Sequence, residues 1–142
     1  MLAVLTAILL SASLLPAQST PRPEYPQPQF QRAQWMNLNG AWEFEFDDAN
    51  QGLDQNWASS TKKFSRNIVV PFCFESPKSG IADTGFHAWV WYRRSFRLAP
   101  DWKGRRVLLH FGAVDYRASV WVNGKLAGSH VGGNTPFRFE IT

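Results

Sequence analysis

One cysteine, Cys73, stands in 142 residues, so no internal disulfide staples the chain, and a free buried thiol is its expected state. The three histidines, His87, His110 and His130, are not spaced as a local metal set, and no metal or other cofactor is expected. No G-x-S-x-G elbow is present, which leaves a serine-hydrolase arrangement without support. The chain also lacks any stretch with a sustained helical period, and that excludes helix bundles and alternating α/β folds. Its longest apolar run, Met1–Leu15, falls short of the ~20 residues a bilayer span needs. Followed by Pro16-Ala17-Gln18-Ser19, the run reads as a secretory leader over residues 1–19, although no Lys or Arg precedes it. Export to the periplasm or outside the cell is the resulting expectation. With no charged residue before Arg22, the formal net charge of +4 belongs wholly to the chain from Arg22 onward.

What the chain does have is strand pattern. In Ala41–Phe46, Trp42, Phe44 and Phe46 alternate with Glu43 and Glu45, the period-2 mark of a strand with a core face and a polar face. Tyr92, Phe96 and Leu98 alternate with Arg93, Ser95 and Arg97, and Val107, Leu109 and Phe111 with Arg106 and His110. In the run Arg105–Phe111, Leu108 is the one misfit. Ile68-Val69-Val70 stops at Pro71, and Phe137–Ile141 closes the chain with Phe137, Phe139 and Ile141 inward. Asn123-Gly124, set between Ala118–Val122 and Lys125–His130, predicts a two-residue type I′ hairpin, because both positions of that turn need φ > 0. Leu53 and Trp57, at i and i+4 in the polar stretch Asp47–Ser60, predict one short helical turn. Short turn-bounded strands of this kind predict an all-β sandwich or barrel over 35–142, after a proline-rich extended arm over 20–34. Aromatic residues make up 15% of the chain, enough rings to fill such a core.

Trp35–Phe46 (WMNLNGAWEFEF), Val70–Ser76 (VPFCFES), Val90–Phe96 (VWYRRSF), Lys103–Val122 (KGRRVLLHFGAVDYRASVWV) and Gly132–Thr142 (GGNTPFRFEIT) together resemble the N-terminal sugar-binding domain of family 2 glycoside hydrolases. These are the β-galactosidase, β-glucuronidase and β-mannosidase relatives. The resemblance implies a jelly-roll β-sandwich, galactose-binding-domain-like and open to completion by strands beyond Thr142, that precedes an immunoglobulin-like domain and an α/β barrel. It also implies a retaining hydrolysis by two glutamates about 5–5.5 Å apart. Those glutamates belong to the barrel, so no catalytic residue is carried over to this chain.

The remaining candidates are contact residues. Glu75 and Asp83, on the loop Phe72–Phe86, would meet a ligand if they converge, against turn capping as the commoner role of loop carboxylates. Trp89 and Trp91 have outward parity and offer faces for a pyranose, although outward tryptophans more often pack against a neighbouring domain. Asp115, in GAVDY, is expected to hold nearby backbone amides. The arginines Arg93, Arg94, Arg97, Arg105, Arg106 and Arg117 alternate with core residues along separate strands and lack a stacking motif. They therefore read as a solvated face or as interdomain ion pairs, not as a nucleic-acid surface. The expected partner is a carbohydrate β-glycoside, met through a parent exported β-glycosidase of which this is a non-catalytic domain. A free-standing carbohydrate-binding module and an accessory domain of a carbohydrate esterase stay open beside it.

Overall fold

The computed structural model describes residues 19–142, so the expected leader lies outside the described residues except for Ser19. Among the described residues no helix is long and apolar enough to cross a membrane. These residues form seven strands: β1 (Gly40–Phe46), β2 (Arg66–Val70), β3 (Val90–Arg93), β4 (Leu108–Phe111), β5 (Arg117–Val122), β6 (Lys125–Val131) and β7 (Phe137–Glu140). All pair antiparallel, in a sheet of order β2-β1-β3 and two ribbons, β4-β7 and β5-β6. Helical structure is confined to single 3-10 turns at Pro28–Phe30, Pro77–Ser79 and Pro100–Trp102, each opening on proline, whose fixed φ suits a first helical position. This is the all-β jelly-roll sandwich that the strand pattern and the resemblance called for.

Pairing explains which faces are filled. On one face of the first sheet Trp42 lies opposite Ile68 and Phe44 opposite Tyr92. Phe44 and Ile68 are fully buried there. The loop after β2 crosses this face and sets the Phe74 ring 5.5 Å from Phe46 and 6.2 Å from Phe44. The other face is covered as well. Trp91, opposite Glu45, stacks on Trp121 of β5 at 5.3 Å and meets Trp57 at 5.9 Å. A third apolar layer joins the ribbons: Phe111 stacks on Phe137 at 4.7 Å, and the Phe139 ring lies on the backbone of Gly128 in β6. At the hairpin Asn123 and Gly124 have φ of 51° and 77°, as a type I′ turn requires.

Three local expectations are corrected, and the arm gains contacts. The strand expected over Tyr92–Leu98 stops at Arg93, the last residue with a partner on β1; the next residue, Arg94, has inward parity but is charged, and its guanidinium goes to the carbonyls of Leu38 and Asn39 at 2.8 and 2.9 Å. Phe96 and Leu98 are consequently left exposed. Leu53 and Trp57 do not share a buried face, since Leu53 is exposed and only Trp57 enters the interior; the segment is a run of turns. Cys73 is exposed, on the outer side of the loop that Phe74 anchors. The proline-rich arm is tied down, its Pro21 and Arg22 carbonyls accepting from the Asn39 and Asn37 side-chain amides at 3.1 and 2.8 Å.

Candidate functional site

The end of β1 and the start of β3 lie side by side, with Phe46 opposite Val90. The loops that meet there, 47–57 and 72–89, hold most of the sequence-predicted site residues. Asp47 follows directly on β1 and is almost wholly buried. Its carboxylate accepts from the amides of Gln51 (2.7 Å) and Gly52 (2.8 Å) and from the indole N–H of Trp91 (3.0 Å). A buried carboxylate needs such donors to replace water. Gly52 is required beside it, because a Cβ there would overlap the Trp91 indole and come within 2.7 Å of the Asp47 carboxylate.

His87 occupies the middle of the site. Its ring stacks on Phe46 at 3.6 Å, Nδ1 lies 2.8 Å from Asp48 Oδ1, and Nε2 lies 3.5 Å from Asp83 Oδ2. The imidazole is mostly enclosed, and Nε2 has no partner within hydrogen-bonding geometry. Asp83 also accepts from the Gly85 amide at 2.8 Å. That amide, with the charge of His87, holds the Asp83 carboxyl below its usual range. An imidazole fixed between two carboxylates joins the loop after β1 to the loop after β2.

The predicted contact residues separate. Asp83 is a turn cap and a partner of His87. Glu75 lies near Tyr92, whose hydroxyl is pushed up to about 12 by burial and then by negative charge at Glu75 and Cys73. Trp91 is taken into the interior by Asp47, Trp57 and Trp121, so its stacked face is not available to a sugar. Trp89 remains exposed, next to the nearly fully exposed Phe86. Asp115 lies against Gly133, where a Cβ would stand 2.5 Å from its carboxylate oxygen. Three of these six arginines work inside the domain: Arg93 pairs with Glu43 and covers the Phe64 ring at 4.1 Å, Arg106 pairs with Glu140 at 2.8 Å, and Arg94 caps the carbonyls before β1. His110 and His130 are not brought into a metal set, and no group of three metal-binding side chains occurs among the described residues.

The residues missed by sequence reasoning are Asp47, Asp48 and His87. The signal for Asp47 was present, since an acidic pair directly after a strand is placed to cap the next turn. For His87 the i, i+4 spacing to Asp83 was visible, but Asp48, 39 residues away, was not.

Residues 35–142 match the sugar binding domain of glycosyl hydrolases family 2. The chain belongs to this family. A β-glucuronidase of Felis catus is 35% identical over 114 residues, which are 74% of this chain and 18% of that protein. A β-galactosidase of Thermoanaerobacter pseudethanolicus is 33% identical over 107 residues, 75% of this chain and 12% of its own length. Among solved structures, the Lactobacillus rhamnosus β-glucuronidase superposes with a TM-score of 0.66 at 32% identity, over 74% of this chain and 18% of that one. The family 2 domain thus spans less than a fifth of these relatives, at their N-terminal sugar-binding portion.

Proposed function

We propose that this chain is the N-terminal, non-catalytic domain of an exported retaining β-glycosidase of the glucuronidase and galactosidase kind, which hydrolyses O-glycosidic bonds through a downstream barrel. The observation that carries the reading is the match of residues 35–142 to the family's sugar binding domain, in a chain that corresponds to only 18% of a β-glucuronidase. The domain's part is to buttress the barrel and shape its mouth. Exposed apolar side chains on the sandwich, Leu98, Leu126 and Val131 among them, suit a surface that further polypeptide covers. Export rests on the apolar run Met1–Leu15 and places the enzyme in the periplasm or outside the cell.

The test compares two proteins on nitrophenyl β-glucuronide and β-galactoside. The 142-residue chain should give no turnover, since it lacks the paired barrel glutamates that form and break the covalent intermediate. A polypeptide continuing into the barrel should cleave one of them and release the sugar first as the β-anomer, followed by NMR. Turnover by the short chain, surviving E75Q and D83N, would overturn the reading, as would release of the α-anomer.

A further inference from the structure

Away from the His87 loops, the outer face of the β4-β7 ribbon carries a concentration of positive charge. His110 and Arg138 are cross-strand partners on that face, and Arg106 reaches across to Glu140 at 2.8 Å (Nη2) and 3.2 Å (Nε). The arm before β1 passes alongside and adds Arg32. Between the arm and the start of this strand pair is an open cleft of about 750 Å³, lined by Arg32, Ala33, Gln34, Arg105 and Arg106.

The cleft is open, and all five residues that line it are exposed. Gln34 donates to the Asp101 carboxylate at 2.9 Å, and Arg105 Nε donates to the Asp101 carbonyl at 3.2 Å, so the arm is fastened at the rim to the Pro100–Trp102 turn. Asp101 and Glu140 offset part of the charge. Among the described residues neither Arg32 nor Arg105 forms an ion pair with a carboxylate. His110 reports the field: its pKa is lowered by partial burial first, then by the charges of Arg138 and Arg32. An anion seated here would meet the guanidinium forks of Arg32 and Arg105, whose planar donors match a carboxylate in a bidentate way, while Arg106, already turned to Glu140, adds charge.

We propose that the Arg32–Arg105–Arg106 cleft is a binding site for carboxylate-bearing oligosaccharides, that is, short chains of uronic acid. The choice of sugar over nucleic acid rests on the family 2 reading and on the lining, which contains no aromatic side chain on which a base would stack. Carboxylates set along a glycan can meet several arginines at once, the guanidinium being a weakly hydrated cation, and the open cleft admits a chain lying across it.

The experiment titrates the 142-residue chain with tetragalacturonate by calorimetry and by NMR of the His110 ring. Binding is expected, weaker in added salt, with the His110 titration moved to higher pH because the anion offsets the arginine field. R32A/R105A should weaken it at least about tenfold, the loss of two charge-assisted contacts. R32K/R105K, which keeps the charge but loses the fork, should fall between. R117A, an exposed arginine on β5, should bind as the wild type does. Cellotetraose, neutral and of equal length, should not bind. The site is overturned if tetragalacturonate does not bind, if R32A/R105A changes nothing, or if an oligothymidylate of matched charge binds as well, which would mark unselective polycation attraction. Turnover of nitrophenyl glucuronide by a longer polypeptide carrying the barrel tests the parent reading independently. Turnover without tetragalacturonate binding removes the site and leaves that reading standing.

Discussion

Removing the Asp47 carboxylate should be the most damaging single polar change in the domain. In Asp47→Ala the Trp91 indole N–H and the Gly52 amide lose their acceptor inside the fold, while the Gln51 amide lies nearer to water. A buried donor left unpaired costs roughly 1–3 kcal/mol, so two of them predict a loss of about 2–5 kcal/mol once partial relaxation is allowed. Against a domain total of ~5–15 kcal/mol that is a large fraction. Asp47→Asn retains one acceptor oxygen but no charge and should lose about 1–2 kcal/mol. Urea unfolding followed by tryptophan fluorescence measures both, the change lying in the midpoint at constant slope. A double-mutant cycle with Trp91→Phe isolates the link, for which a coupling of about 1 kcal/mol or more is expected. An Asp47→Ala protein within about 0.5 kcal/mol of wild type, or strict additivity with Trp91→Phe, would refute the view that this carboxylate fastens the loop 47–57 to the sheet.

Gly124→Val should cost about 1–3 kcal/mol, because a β-branched residue is strained at φ 77° and its Cβ would stand 2.7 Å from that of Ser59. Lys125→Ala, on the exposed flank of the same turn, should stay within about 0.5 kcal/mol, and equal melting temperatures for the two variants would contradict the turn assignment. Gly128→Ala places a methyl group inside the Phe139 ring and should destabilise by about 1–3 kcal/mol, with Phe139→Leu relieving part of the loss when the two are combined. Stability should fall in two steps on acidification. His110 binds its proton less readily when folded, so its contribution is complete above about 6.5, the ordinary histidine value, and is lost as pH falls from there through its depressed folded value. Asp83 and Glu140 are held low when folded, so their contribution is complete above the ordinary carboxylate range near pH ~4 and disappears as pH falls through their depressed values. Melting curves across pH should lose the upper step in His110→Asn and keep the lower one.

What was legible in the sequence is what local chemistry decides. The hairpin could be read because only Asn and Gly tolerate its backbone, and β1 and β7 because aromatic residues at period 2 have one stable way to face a core. The family blocks carried the topology. Less legible were the ends of elements. Only Arg94, a charged residue at inward parity, interrupts the alternation between Arg93 and Leu98, and β3 ends there although β1 continues back to Gly40.

Parity failed in a more instructive way at Trp91. Alternation correctly puts Trp91 on the face opposite Tyr92, but it is silent on whether that face meets water or another layer. Here the segment around Trp57 and the β5-β6 hairpin fold over it, so a residue that reads as an outward platform becomes part of a second core. Two features of the sequence pointed that way. An unpaired indole N–H inside a sandwich needs an acceptor, and the acidic pair after β1 supplies it through Asp47. Glu43, on the same face, needed a cation and found Arg93 across the strand pair. The same logic sets the limit for the functional residues. His87 with Asp48, and Arg32 with Arg105 and Arg106, come from segments far apart in the chain, and only the folded arrangement of loops and arm brings them together. Chemistry that depends on such pairs becomes readable once the sheets are in place, whereas chemistry held within one turn, as at Asp83 and Gly85, is readable from the start.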